Sequence, residues 1–164
     1  MEPHVQAVAG SALQLATLLV EDRAAAEDIV QEAFLRAWQS TRTPRDAAGF
    51  RRWLYRIVVN LARDHHRREA VFGRLRLLPR PATDPGTVVE ERATGASLAD
   101  ALRQLSRRER EALYLRFFED ADYQEVAQVL GSREGACRVL IHRALKKIAA
   151  RLSAEGLAPE GTKT

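Results

Sequence analysis

Apolar side chains recur at Phe50, Trp53, Leu54, Ile57, Val58 and Leu61, the i, i+3, i+4, i+7 spacing of a helix with one buried face. Strand alternation is absent there, so Phe50 to Arg68, FRRWLYRIVVNLARDHHRR, is predicted as a helix. Turned away from that stripe stand Arg52, Arg56, Asn60, Arg63 and Arg67, with Tyr55 close beside them. Upstream, Val5 to Val20 reads as a first helix with Leu13, Ala16, Leu19 and Val20 as core. Asp22 is a predicted N-cap, and Glu27 and Asp28 favour the positive end of a second helix running to about Gln39. The inner stripe of that helix is Ala26, Ile29, Val30, Ala33, Phe34 and Ala37. Asp28, Gln31, Glu32, Leu35, Trp38 and Gln39 face elsewhere. A Leu and a Trp among acidic groups fit either a partner surface or a second core layer.

Pro44 and Gly49 break the periodicity between Ser40 and Gly49, so a loop leads into the Phe50 helix. From Leu78 to Gly95 the chain turns rich in Pro and Gly without an apolar stripe, the composition of a flexible linker. Beyond it, Leu98, Ala101, Leu102 and Leu105 predict a short helix. Ser106 caps the next, about Arg107 to Phe118, with Ala112, Leu113, Leu115 and Phe117 partly buried. Tyr123 to Leu130 ends at Gly131, and Ser132 caps a last helix to about Leu152. Two helices meeting at a Gly-containing turn have the form of a helix-turn-helix. The fold class is all-α: two small helical domains, a bundle over residues 1–76 and a helix-turn-helix domain over 97–155, joined by a flexible linker at 77–96 and followed by a disordered tail at 156–164.

Charge changes this picture through its distribution rather than its total, which is only +4 over 164 residues. Met1 to Glu32 holds one arginine against six acidic residues, whereas Ala33 to Arg76 holds eleven arginines against Asp46, Asp64 and Glu69. A second basic block, Ser132 to Leu152, carries Arg133, Arg138, Arg143, Lys146, Lys147 and Arg151 against Glu134. Two separated basic blocks fit two contacts on one polyanion. A guanidinium row neutralises phosphates, an Asn reads a base edge and an aromatic ring stacks on an unpaired base. The competing reading of such a row is a solvated helix face.

The single cysteine, Cys137, precludes an internal disulfide, and its apolar neighbours on the last helix mark a buried structural thiol. His65 and His66 are adjacent and point about 100° apart on a helix, which disfavours a shared metal. Phosphate-loop glycines, triad spacing and paired carboxylates in an apolar setting are missing, so no catalytic residue, metal or cofactor is expected and the chain is read as a non-enzyme. The N-terminus lacks a signal-peptide pattern and no apolar run approaches a membrane span. A cytoplasmic protein without membrane insertion is expected.

From about Leu13 to Leu152 the chain resembles the extracytoplasmic-function (ECF) sigma factors, the smallest members of the sigma-70 superfamily of bacterial RNA polymerase initiation subunits. AEDIVQEAFLRAWQS, Ala26 to Ser40, is similar to the family's region 2.2, and FRRWLYRIVVNLARDHHRR to regions 2.3 and 2.4. LRQLSRREREALYLRFFEDADYQEVAQVLG, Leu102 to Gly131, is similar to region 4.1 and the start of the region 4 helix-turn-helix. The resemblance implies that Asp28, Gln31, Glu32, Leu35, Arg36 and Trp38 dock on core RNA polymerase. It implies that the Ser40 to Gly49 loop, with Arg42 and Arg45, takes a flipped base of the promoter minus-ten element. Asn60, Arg63 and Arg67 would then face its duplex edge, with Tyr55 a neighbour. A pocket that captures the extruded base returns part of the few kcal/mol that unstacking costs. Ser132, Arg133, Arg138, Val139, His142 and Arg143 are expected on the minus-thirty-five element. An anti-sigma factor is an expected further partner.

The resemblance is interrupted in the recognition helix. The family's usual GTVKSRLHRA stands here as GACRVLIHRA, Gly135 to Ala144, with Val139 and Leu140 in place of a small polar residue and an Arg. An apolar side chain there meets a thymine methyl or contributes to a protein-binding patch with Ile141. Two other readings therefore stand beside a promoter-selecting factor: a polymerase-binding regulatory protein without autonomous promoter selection, and a free-standing helix-turn-helix repressor.

Overall fold

The computed structural model describes residues 2–75, 93–154 and 156, and every regular element among them is helical. α1 (Glu2–Val20), α2 (Arg23–Gln39) and α3 (Ala47–Leu75) pack on one another as the first domain. α4 (Ala93–Arg103), α5 (Arg107–Leu113) with its π-helical continuation (Tyr114–Phe118), α6 (Tyr123–Leu130) and α7 (Glu134–Ala154) form the second. The all-α, two-domain expectation holds. The linker prediction falls largely on residues 76–92, outside the described residues, but α4 begins at Ala93, inside the stretch read as linker up to residue 96. Of the tail expected to be disordered, residues 157–164 lie outside the described set.

Local chemistry explains the helix ends. The Asp22 carboxylate accepts the Ala24 N–H at 3.0 Å, as its N-cap role requires. α3 starts earlier than Phe50 because Asp46 caps it: its carboxylate accepts the Gly49 N–H at 2.7 Å and its carbonyl the Phe50 N–H at 2.9 Å. A Cβ on Gly49 would lie 2.6 Å from the Asp46 carboxylate, so this position has no room for a side chain without displacing the cap. Ser106 with Glu109, and Asp122 with Glu125, each complete a capping box. Gly131 takes φ 61°, the left-handed conformation that closes α6.

Ser132 does not cap the last helix. Its N–H bonds back to the Ala127 carbonyl at 2.9 Å as part of the α6 terminus, and the Arg133 carbonyl accepts the first bond of α7, from Cys137. Phe117 is also displaced from its expected place. The Glu119 N–H reaches back five residues to the Tyr114 carbonyl, and this wider turn rotates Phe117 and Phe118 outward, leaving both exposed. The Phe118 ring stacks on Tyr114 at 5.3 Å.

The core runs from the first domain into the second. Leu15, Leu19, Leu54, Val58 and Val59 are fully buried in the first, and Leu115, Val126, Leu130, Cys137 and Ile141 in the second. α3 packs on α1 and α2 and also against α6, so its buried arc is wider than one stripe and takes in Tyr55, Val59 and Ala62. Tyr55, expected beside the basic face, is 2% exposed and belongs to the core. Its position overturns the neighbour role given to it on the DNA-facing row.

Candidate nucleic-acid and protein interfaces

α2 divides cleanly. Ala26, Ile29, Ala33 and Ala37 are buried, with Val30 and Phe34 packed against the core beside them. The opposite side presents Asp28, Gln31, Leu35 and Trp38 to water, and Trp38 is 89% exposed. Of the two alternatives, a second core layer is therefore not what covers this Trp. Glu32 and Arg36 pair at 2.7 Å one turn apart, which fixes their heads at the rim of the apolar pair.

Three consecutive charged residues of α5, Glu109, Arg110 and Glu111, are buried, and each meets a counter-charge on a different element. Glu109 accepts Lys147 Nζ of α7 at 2.8 and 2.9 Å. Arg110 donates to Glu21 in the α1–α2 turn. Glu111 accepts Arg63 of α3 at 2.9 Å. Burial raises the Glu111 pKa, and the Arg63 guanidinium opposes that rise. Burial alone would also raise Glu109, yet Lys147 and the Ser106 N–H bring its pKa below the ordinary value. The Tyr114 hydroxyl adds a bond to the Ser11 carbonyl at 3.0 Å. Two more cross-domain pairs, Arg52 with Glu125 at 2.7 Å and Arg51 with Glu119 at 3.7 Å, fasten α3 to the acidic turn and α6. Glu125 bonds Arg52 through one oxygen while the other accepts the Asp122 N–H in the capping box.

Asn60, Arg63 and Arg67 come together, as the sequence spacing predicts, along an open cleft of about 870 Å³. Arg36, His66 and Arg107 line the same cleft. None of those three was singled out for the DNA-facing row from the sequence; Arg107 arrives only through packing of the second domain. Asn60 and Arg67 are exposed, and Arg67 is tied to Asp64 one turn earlier. Arg63 is half-buried and already engaged by Glu111. His66 Nε2 donates to the Leu19 carbonyl at 2.7 Å, and burial lowers its pKa below 6.5, with Arg107 adding to the shift. Arg42 and Arg45 are exposed in the loop before α3. That loop is held by Thr43 Oγ1, which donates at 3.0 Å to Ala37 O and lies 3.1 Å from Ser40 O.

On α7, Cys137, Ile141 and Ala144 are buried while Arg138, Val139, His142 and Arg143 are exposed, as is Arg133 just before the helix. Ser132 is half-buried at the turn. Arg138 bonds Glu134 at 2.7 Å and lies over the Tyr123 ring at 4.2 Å. Leu140 packs against the core rather than joining Val139 on the surface. Among the described residues no group of three or more His, Cys, Asp or Glu side chains could hold a metal ion, and no helix is long and apolar enough to cross a membrane.

Residues 2–71 match the Sigma-70 region 2 family and residues 96–148 match Sigma-70, region 4. The chain is 30% identical over 150 residues to the RNA polymerase sigma factor SigV of Bacillus subtilis, covering 88% of this chain and 86% of that one. It is 36% identical over 152 residues to a probable RNA polymerase sigma factor, RfaY, of Xanthomonas campestris, covering 85% of this chain but only 37% of that longer protein. In fold it is similar to the sigma factor RpoE of Bartonella quintana, solved with the anti-sigma factor NepR, with a TM-score of 0.73, 22% identity, and coverage of 94% of this chain and 97% of that one.

Proposed function

Because the chain belongs to the ECF sigma factors of the sigma-70 family, we propose that it binds core RNA polymerase, recognises promoter minus-ten and minus-thirty-five elements and promotes DNA opening. The observation that carries this reading is the exposed Leu35 and Trp38 rimmed by acidic groups on α2, in the same small domain as an open cleft lined by Asn60, Arg63 and Arg67. An exposed Trp beside charges is the composition of a protein-binding anchor. Asp28, Gln31, Glu32, Leu35, Arg36 and Trp38 form the polymerase-docking face. Arg42 and Arg45 flank the loop that receives an extruded base, and Asn60, Arg63 and Arg67 contact the adjoining duplex. Arg133, Arg138, Val139, His142 and Arg143 address the upstream element, with Ser132 at its edge.

In this reading Arg63 exchanges Glu111 for a phosphate when DNA is engaged, and Arg51 and Arg52 are released from Glu119 and Glu125. The protein needs no catalytic side chain and no cofactor, and works in the cytoplasm with the polymerase. The functional units are residues 1–76 and 97–155. An anti-sigma factor that covers the α2 and α3 faces would hold it inactive; the similar fold solved with such a partner supports this part.

Run-off transcription with core polymerase on a genomic promoter library tests the proposal. Initiation from promoters sharing a bipartite motif is the expected result, and failure to bind core enzyme overturns it. The apolar Val139 favours a second reading, a polymerase-binding regulator that does not choose promoters, which predicts core binding without a shared motif. Tight sequence-specific DNA binding without polymerase would instead mark a repressor.

A further inference from the structure

The buried row of α7 is Cys137, Ile141 and Ala144, so at 100° per residue the row opposite it is Gly135, Val139, His142 and Lys146. In the first two turns that row carries little that is polar. Gly135 has no side chain, and where its Cβ would stand there is nothing within 4 Å. Val139 is 49% exposed, and next to it on the helix surface lies Ala136, also exposed. The neighbouring guanidinium of Arg138 is turned sideways, bonded to Glu134 at 2.7 Å and seated over Tyr123 at 4.2 Å. A helix entering a major groove with this face brings its backbone close at Gly135 and presents Val139 at the base edges. His142 follows Val139 one turn on along the same row, Arg143 is exposed beside it and Arg133 is exposed just before the helix start, so these cations are within reach of phosphates flanking that contact.

Resting on the promoter-binding reading of α7, we propose that Val139 is a specificity-determining residue that reads the 5-methyl group of a thymine in the upstream promoter element. A valine has no donor or acceptor, so the groove feature it distinguishes is the one apolar group there, the thymine methyl. Covering one methyl is worth roughly a fourfold change in affinity. Specificity at this position comes from shape and desolvation rather than from a bidentate Arg.

The test uses the full chain assembled with core polymerase. Promoters are first selected from a library randomised upstream of the minus-ten element. Each enriched thymine is then replaced by deoxyuridine, which keeps the pairing edge and removes only the methyl. Expected is one thymine whose replacement weakens holoenzyme binding roughly fourfold, and a Val139→Ala protein that loses the same factor on thymine and is indifferent to deoxyuridine, a non-additive cycle. Val139 is half-exposed on a helix, so its replacement by Ala leaves folding intact; circular dichroism checks this. If an upstream motif is enriched but deoxyuridine has no effect at any thymine, the Val139 proposal is overturned while the promoter-binding reading stands. If no upstream motif is enriched, both fall.

Discussion

Replacing Arg63 by Ala removes the bonded partner of a carboxylate that is 2% exposed. At 2.9 Å the pair has a gross attraction of about 6 kcal/mol at an effective dielectric of about 20. Desolvation of Glu111 consumes much of that, and 32% of the Arg63 side chain remains in water, which screens the pair further. The expected net loss is about 2–3 kcal/mol, below the 3–5 kcal/mol typical of a fully buried pair. Its pH dependence identifies the cause. Burial already holds the Glu111 pKa above 4.5, and without Arg63 it rises further. A carboxyl whose folded pKa is raised costs nothing below the unfolded value, where both states are protonated, and stability is lost as pH rises through the folded pKa. Arg63→Ala is therefore near wild type below pH 4.5 and most destabilised near pH 8. Urea denaturation followed by circular dichroism at several pH values measures it, and Arg63→Ala with Glu111→Gln recovers most of the loss at pH 8. A loss independent of pH, or an unrescued double variant, would refute the account of a buried, compensated charge.

Trp38→Ala leaves thermal stability unchanged, since 89% of the residue faces water, but weakens core-polymerase binding by at least about 2 kcal/mol, roughly thirtyfold in Kd, in a titration of labelled protein. Leu54 is fully buried in the α3 core, and Leu54→Ala costs about 2–5 kcal/mol in chemical denaturation. His66 is held neutral with its pKa below 6.5, so its share of stability is complete above pH 6.5 and is lost as pH falls through the lowered pKa; His66→Gln, which does not titrate, removes that acid limb from a melting-temperature profile.

Helix existence and the inner stripes of α2 and α3 were legible in the sequence because burial on one side writes a 3.6-residue period. Tyr55 was not. Its phase on the helix put it near the arginines, and a single-helix projection has no knowledge of a second domain packing on α3. The same blindness hid Arg107 from the cleft and the three partners of Glu109, Arg110 and Glu111. A buried run of charges looks in sequence like a solvated helix start, and only the long-range pairs with Lys147, Glu21 and Arg63 distinguish the two. Gly49 was legible only as a breaker; the Asp46 carboxylate that a side chain there would displace lies three residues away in a capping geometry. Phe117 was misplaced for a related reason, because a π turn shifts the register by one residue without leaving a mark in the apolar periodicity.

The cross-domain pairs bear on how the proposed DNA face would work. Arg51, Arg52 and Arg63 face the carboxylates Glu119, Glu125 and Glu111, groups with the charge and acceptor geometry that phosphates also offer. Asn60 is left exposed in the cleft, free of this competition. An arginine that must leave a carboxylate contributes to DNA binding only the difference between its two partners, so these three add less affinity than their number implies. Asn60, which gives up no ion pair to reach a base edge, therefore carries a larger share of discrimination in the minus-ten element. Asn60→Ala should relax base preference there by about 1–3 kcal/mol, whereas Arg52→Ala should change affinity little and its salt dependence by less than one phosphate contact. Equal losses for the two variants in open-complex formation would show that the carboxylates are not competing for the arginines.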